Sequence, residues 1–395
     1  MISFDEAIDL VRSVARPLGT ETVRLADAAG RVLALSVVAR IDSPRADVST
    51  MDGYAVRDAD FGIFPTSLQV IGESFAGAGW NGAVSEGTCV RIFTGAPVPA
   101  GADRVIIQEH VRRESDSAII DADPGPARHV RTRGSDFKTG DVLLAASREL
   151  DARAIVAAAA ADMAEIDVYR QPRLHILSTG DELAEPGAAR DIADAIPESV
   201  SFGVAALAEQ WGAKCTGRTR LRDDLATMQS AAAAAVDDAD IIVVTGGASV
   251  GEKDFAKAMF EPLRVQLVFS KAAIKPGKPV WLGRVRDALV LGLPGNPTSA
   301  MVTARLLLAP LLAGMRGQPI ERALTWRAMP LQSPLYECGS RETFHRARLK
   351  DGAAEVLSFQ DSGAQKALAG ADLLVRQRAH AQAVSAGELV EVLDF

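Results

Sequence analysis

The sequence predicts a multidomain α/β-plus-β protein: a central doubly wound, mostly parallel α/β domain, an inserted small β domain, a helical connecting layer and a C-terminal small β-barrel. Three observations predict it. A length of 395 residues is too great for one ordinary core. Between 171 and 316, extended apolar runs alternate with helical patterns, as a parallel sheet covered on both faces requires. The stretches 41–134 and 317–395 instead carry short alternating strands separated by Gly- and Pro-containing turns.

In chain order, MISFDEAIDLVRSVARPLG has apolar residues at helical spacing and a Ser3/Glu6 pair suited to a capping box, so a helix opens the chain. From about 41 the texture turns to Gly, Pro and Val, and runs such as LQVIG, CVRIF and RVIIQE mark the β domain to 134. The Ala-rich ELDARAIVAAAAADMAEI, 149–166, returns to helix composition. Residues 1–40 and 135–170 are therefore expected to form one helical layer around the inserted domain. Over 171–316, RLHILSTGDE, SVSFGVAALAEQWG, CTGRTRLR, DLATMQSAAAAAVDDA and DIIVVTGGASVGEKD alternate strand and helix. LTWRAMPL, TFHRARL, LVRQ and LVEVLDF then predict the barrel over 317–395.

Composition excludes several classes. A hydrophobic share of 48% and a charged share of 24% belong to a folded chain rather than a disordered one. A net charge of -8 argues against a broad nucleic-acid face, which needs clustered Lys and Arg. The three cysteines and five histidines are scattered, without disulfide-framework or zinc-ligand spacing, which suits a reducing cytosol. The apolar run SAMVTARLLLAPLLAGM carries Arg305 and Pro310 and reads as a core-facing helix too short for a bilayer. Asp5, Glu6 and Asp9 have the opposite sign to a secretory leader's first residues, so a cytoplasmic protein is expected.

In an open parallel sheet, ligands bind beyond the carboxyl ends of the strands, where backbone N–H groups and helix N-termini point. Three segments leave strands at that edge: STGDE after RLHIL, TGGASVGEKD after DIIVV, and LPGNPTSA after ALVLG. Gly246 and Gly247 let backbone approach an anion, and Ser249 and Gly251 continue a loop able to cradle phosphate, although such turns need glycine for structure alone. Asp181, Glu182 and Asp254 suit Mg²⁺ beside phosphates; each also suits a helix N-cap, Asp181 equally so. FSKAAIKPGKPVWLG, 269–283, follows the strand VQLVF and sets Lys271, Lys275 and Lys278 on chain stiffened by Pro276 and Pro279. On that rim Lys271 and Lys275 would face phosphates or a tetrahedral oxyanion; on a plain surface loop the lysines would be merely solvated. In the β domain, Asp52 in STMDGYAVR and Thr94 in RIFTGAPVPAGAD occupy turns that need no function, and Arg131 and Arg133 add capacity for anions.

Together STMDGYAVR, RIFTGAPVPAGAD, STGDEL, TGGASVGEKDF, KAAIKPGKP and LPGNPTSA resemble, in order and spacing, the MoeA family of molybdopterin molybdenumtransferases, related to the C-terminal domain of gephyrin. The resemblance covers essentially the whole chain. TGGASVG alone resembles the wider molybdopterin-binding superfamily; MDGYAV, TGAPVP and KPGKP are specific to this branch. The resemblance implies an elongated, four-domain cytoplasmic homodimer with a MoaB/MogA-like α/β domain. It implies an enzyme that inserts molybdenum from molybdate into molybdopterin-AMP, releasing AMP, with Mg²⁺ or a similar divalent ion. Carried over position by position, it implies catalytic roles for Asp52, Thr94, Asp254, Lys271 and Lys275, and metal contacts at Glu182 and Asp224, with Asp223 leaving the last assignment open. Substrate contacts are implied at Arg133, Thr179, Gly180, Gly246, Gly247, Ser249, Gly251, Lys278, Pro294, Asn296, Arg341 and Ser362. Asp52, Thr94 and Arg133 would come from the partner subunit. A MogA-like adenylyltransferase and recipient molybdoenzymes would be the protein partners, with no nucleic acid and no membrane. Two stretches depart from the family pattern: DAIPESVSF replaces an Asp-Ser/Thr-Asn element, and DSGAQKALAGADLL puts Lys366 and Ala367 where a serine pair is usual. These departures keep two alternatives open: a non-catalytic molybdopterin- or nucleotide-binding carrier or regulator, and a gephyrin-like scaffold.

Overall fold

The computed structural model describes residues 1–246 and 255–395. Gly247, Ser249, Gly251 and Asp254, expected above to serve the site, lie outside the described residues.

The described chain forms two compact units, the first from 1–22, 30–34 and 167–395, the second from 23–29 and 35–166. In the first unit a six-stranded sheet has the order Lys214–Leu221, Arg173–Thr179, Ile241–Thr245, Ala288–Leu293, Trp281–Val285, Gln266–Phe269. The first four strands are parallel, pairing for example Leu174 with Ile241 and Ile242 with Val290. The last two pairings are antiparallel. Alternate residues of a strand face opposite sides. Ile241 and Val243 accordingly join a core with the helices Val200–Gln210 and Phe4–Val14, whereas Ile242 and Val244 join one with the helix Leu225–Asp238. Burial on both sides explains why this strand reads as the unbroken apolar run IIVV.

The helix Phe4–Val14 has the expected capping box, with Glu6 N–H donating to Ser3 Oγ at 3.2 Å and Ser3 N–H to Glu6 Oε2 at 2.7 Å. Its place differs from the layer that composition suggested. Phe4, Ala7, Ile8 and Val11 bury in the α/β core beside Leu174, Val204 and Leu311, and the helix Ala152–Ala160 belongs to the second unit. Helical periodicity shows which face is apolar but not which partner covers it. The run Pro297–Met315 is helical throughout, with a π-helical turn at Ala304–Leu308. It is longer than the apolar stretch alone, and long and apolar enough to cross a membrane, yet its most apolar window is 94% buried inside the fold.

The barrel is also in the first unit. Arg327–Pro330, Glu342–Lys350, Ala353–Val356, Leu373–Gln377 and Leu389–Asp394 pair in one sheet, and a bridge between Leu331 and Ala354 joins its ends. A sixth, two-residue strand, Ile274–Lys275, comes from the lysine-rich stretch and pairs with Glu342 and Thr343.

The second unit holds a mainly antiparallel six-stranded sheet, in the order Arg104–Ile107, Gly53–Val56, Thr88–Ile92, Thr66–Ser74, Ser117–Ile120, Arg112–Glu114.

Candidate active site

The carboxyl ends of the parallel strands carry Thr179 and Gly180, then Asp223, Gly246, and Pro294 to Asn296, each at or just past the end of its strand. Gln266–Phe269 points the same way, because two antiparallel pairings separate it from Ala288–Leu293. Residues 270–280 therefore cross the same edge before Trp281–Val285 runs back. The lysine-rich stretch is a rim segment, and its strand Ile274–Lys275 ties that rim to the barrel.

A cavity of roughly 760 Å³ opens at this edge. Thr179, Gly180, Glu182, Asp223, Gly246, Pro294 and Asn296 line it, together with Ile196, Pro197, Glu198 and Ser199 from the stretch before the helix Val200–Gln210. Its size and its mixture of apolar wall and few polar groups suit a nucleotide-sized ligand. Gly246 has φ +87, and a Cβ there would lie 2.4 Å from the Thr179 carbonyl oxygen, so only glycine lets the chain turn so close to the neighbouring strand.

A second cavity, of roughly 450 Å³, is lined by Lys275, Lys278 and Arg341 with Ser299, Thr343, His345, Asp361 and Ser362, and shares Pro279 with the first. A third, of roughly 330 Å³, again has Lys275, Arg341, Thr343 and His345 in its wall, with Cys338 and Glu337. Burial holds the His345 imidazole below its ordinary pKa, so it is neutral at pH 7, and its Nε2 lies 3.0 Å from Gln377 Oε1. The positive charge of the second cavity thus rests on Lys275, Lys278 and Arg341, none of which has an ion pair among the described residues. Lys271 is exposed, its carbonyl accepts the Ile2 N–H at 3.2 Å, and it is not among the residues lining these three cavities.

The acidic residues sort themselves by where helices begin. Asp224 is the N-cap of the helix Leu225–Asp238, where its Oδ2 accepts the Thr227 hydroxyl at 2.5 Å and the Thr227 N–H at 2.9 Å. Those bonds, the hydroxyl's first, hold its carboxyl below the ordinary range. Asp223 is the one that lines the cavity. No helix starts at Asp181, whose Oδ1 accepts the Asp223 N–H at 3.2 Å. Glu182 folds over Gly180: its carboxylate oxygens would lie 2.7 and 2.8 Å from a Cβ on that residue. Among the described residues no group of three or more His, Cys, Asp or Glu is arranged to hold a metal. Glu182 and Asp223 both line the first cavity.

In the second unit three separate stretches converge. Val48–Ser49 pairs with Val130–Arg131, and Gly95 N–H donates to the Ser49 carbonyl at 2.8 Å. Asp52 and Thr94 meet directly, with Oδ1 of Asp52 accepting the Thr94 N–H at 2.7 Å and its hydroxyl at 2.8 Å. Arg133 Nε donates to Asp42 Oδ2 at 2.5 Å. The Asp42 carboxyl is lowered to about 2, chiefly by the Thr139 N–H and then by Arg133.

Residues 2–161 match the MoeA N-terminal region (domain I and II), 175–314 a probable molybdopterin binding domain, and 328–395 the MoeA C-terminal region (domain IV). The molybdopterin molybdenumtransferase of Haemophilus influenzae is 35% identical over 100% of this chain and 99% of its own length. The chain belongs to the MoeA family. The molybdopterin molybdenumtransferase of Nostoc sp. is 33% identical over 85% of this chain and 78% of its own length. The molybdopterin biosynthesis MoeA protein of Pyrococcus horikosii has a similar structure, with a TM-score of 0.86 at 28% identity, covering 100% of this chain and 99% of that one.

Both departures from the MoeA pattern border the cavities. Ser362 accepts a hydrogen bond from Asn296 Nδ2 at 3.0 Å, and its carbonyl accepts the Thr298 N–H at 3.1 Å, which docks the 361–372 stretch on the LPGNP turn. Pro197 and Glu198 are in the wall of the first cavity. The sequence alone does not single out His345, Thr343, Ser299 or Asp223 as site residues, and only the last carries a signal, its place beside Asp224 at an expected helix start.

The Asp52 carboxyl lies below the ordinary range, because of the Thr94 N–H first and the Thr94 hydroxyl second. Thr94→Val keeps the first and removes the second, so the Asp52 titration should move upward yet stay below the ordinary value, as read from its side-chain carboxyl carbon by NMR. For such a depressed carboxyl, the linked stabilisation is present above the unfolded-state pKa and is lost as pH falls through the folded one. An unmoved titration would show that the hydroxyl contact is absent in solution.

Proposed function

We propose that this MoeA-family chain inserts molybdenum from molybdate into adenylylated molybdopterin with release of AMP. The observation that carries this reading is the pair of adjoining cavities, one nucleotide-sized with carboxylates and a glycine turn, the other cationic, sharing Pro279. The reaction must bring a dianionic oxyanion against a phosphoric anhydride. Lys275, Lys278 and Arg341 would hold molybdate, while Ser299, Thr343 and Ser362 offer it hydroxyl groups. Gly246, Thr179 and Asn296 would receive the adenylylated ligand. Mg²⁺, held by Glu182 and Asp223, would offset phosphate charge when bound.

The reading includes a cytoplasmic homodimer in which the Asp52, Thr94 and Arg133 edge of one subunit serves the cavities of the other, and a four-domain division in which the helix Phe4–Val14 goes with the α/β domain rather than with the connecting layer. Purified protein supplied with adenylylated molybdopterin should release AMP only when molybdate and Mg²⁺ are both present. Release that ignores molybdate would refute the insertion reading. Complementation of a strain lacking the transferase separates the alternatives: a carrier binds ligand without rescue, and a scaffold does neither.

A further inference from the structure

Lys275, Thr343 and Gln377 form a row across three strands of the barrel, because Thr343 pairs with Lys275 on one side and with Gln377 on the other. Residues in register share a face of a sheet, as do residues two apart in one strand, so His345 stands on the same face as this row. That face is a cavity wall: Lys275, Thr343, His345 and Gln377 all line the third cavity, and the first three of them also line the second. A chain of hydrogen bonds fixes where His345 carries its proton. Gln377 Nε2 donates to the Tyr336 carbonyl at 2.7 Å, and a carbonyl can only accept, so Gln377 Oε1 is the atom turned to His345 Nε2 at 3.0 Å. Nε2 is therefore the N–H of the neutral ring, which leaves a bare lone pair on Nδ1. Nδ1 has no hydrogen-bond partner among the described residues, and it is not one of the enclosed side-chain nitrogens that lack a partner, so that lone pair is accessible.

A bare lone pair is the wrong partner for an oxyanion, whose oxygens are acceptors too. The walls around it are nonetheless cationic, with Lys275, Lys278 and Arg341 set against Asp361 in the second cavity and Glu337 in the third, where Cys338 adds a thiol. Arg346, the next residue of the strand, is on the other face, where its Nη1 lies 3.4 Å from Thr298 Oγ1. Burial first, and after the favourable Gln377 bond the charges of Lys275 and Arg346, disfavour an imidazolium while the cavity is empty; a dianion among these cations reverses that balance. We propose that His345 is a binding residue for the oxyanion, which enters together with one proton shared between His345 Nδ1 and an oxyanion oxygen. The proton comes from solvent, and the count is the same whether the ring or the ligand is written as its bearer. The inference deepens the reading of these cavities as the molybdate site and rests on it.

The test titrates molybdate alone into full-length wild type and His345→Gln by calorimetry, in buffers of different ionisation enthalpy, so that the buffer dependence of the heat counts protons. At about pH 7.5, wild type should take up at least about half a proton more than His345→Gln. The ring's pKa rises on binding, so affinity falls as pH rises from the free-state pKa to the bound-state one, by up to about tenfold per unit. Between about pH 6.5 and 8 the wild-type loss of affinity should therefore exceed that of His345→Gln by about 5- to 30-fold. Lys275, Lys278, Arg341, Asp361, Glu337 and Cys338 are present in both proteins, so whatever pH dependence they cause is common to both. In wild type alone, 15N spectra of the five histidines should show one ring pass from its Nε2–H form to the doubly protonated form as molybdate is added. Equal proton uptake and equal pH dependence in the two proteins, within about twofold, overturn the proposal. So does a wild-type spectrum in which no ring gains a proton on binding. A wild type that does not bind molybdate overturns the reading of the cavities themselves, a separate failure.

Discussion

Lys275→Ala is expected to lower molybdate-dependent AMP release by about 100-fold or more while leaving the fold intact. Lys275 lines both cavities flanking the rim segment, and its cation has no ion pair among the described residues. At an effective dielectric of 20, a unit charge about 5 Å from a unit anion contributes roughly 3 kcal/mol. If that attraction is greatest when the oxyanion meets the anhydride, the same energy appears in the rate as about 100-fold. Stability should change by no more than about 0.5 kcal/mol, because the side chain is exposed and the pairing with Thr343 is made by the backbone. Steady-state AMP release at varied molybdate, with a urea unfolding curve, checks both halves. Activity within a few-fold of wild type would reduce Lys275 to a solvated surface lysine and remove the central support for the oxyanion site.

Gly277→Ala should destabilise the protein by about 2–6 kcal/mol and disorder the same site from within. Gly277 has φ +108, and a Cβ there would lie 2.1 Å from Thr303 Cγ2 and 3.4 Å from Ile274 Cδ1. Backbone strain at such a φ costs about 1–3 kcal/mol, and overpacking typically another 1–3. Thr303 cannot rotate away freely: it is fully buried, and its hydroxyl donates to the Ser299 carbonyl at 2.7 Å and lies 3.0 Å from that of Ala300. Adding Thr303→Ser removes the clashing methyl and should recover the packing part of the loss but not the backbone part. A Gly277→Ala protein within 0.5 kcal/mol of wild type would show that the turn relaxes, and the stiffness argued for the lysine stretch would be wrong.

Much of this was legible in the chain itself. Strand runs such as RLHIL, DIIVV and ALVLG declare a sheet buried on both faces, because a strand covered on two sides has no polar face to alternate. The same logic places STGDE and LPGNPTSA at its carboxyl edge. The choice between Asp223 and Asp224 was not legible, since it turns on which residue begins the helix. Asp224 caps the helix through Thr227, and Asp223 lines the cavity.

The sequence by itself determined the elements, the order of the motifs and the family, all of which depend on patterns within a few neighbouring residues. Only the tertiary structure decided that the helix Phe4–Val14 covers the α/β core, that Ile274–Lys275 is a barrel strand as well as a rim, and that Glu198 is buried beside the cavity. The physical reason is range. Periodicity and capping act over one or two turns, whereas burial and pairing depend on segments far away in the chain, and no local pattern names them.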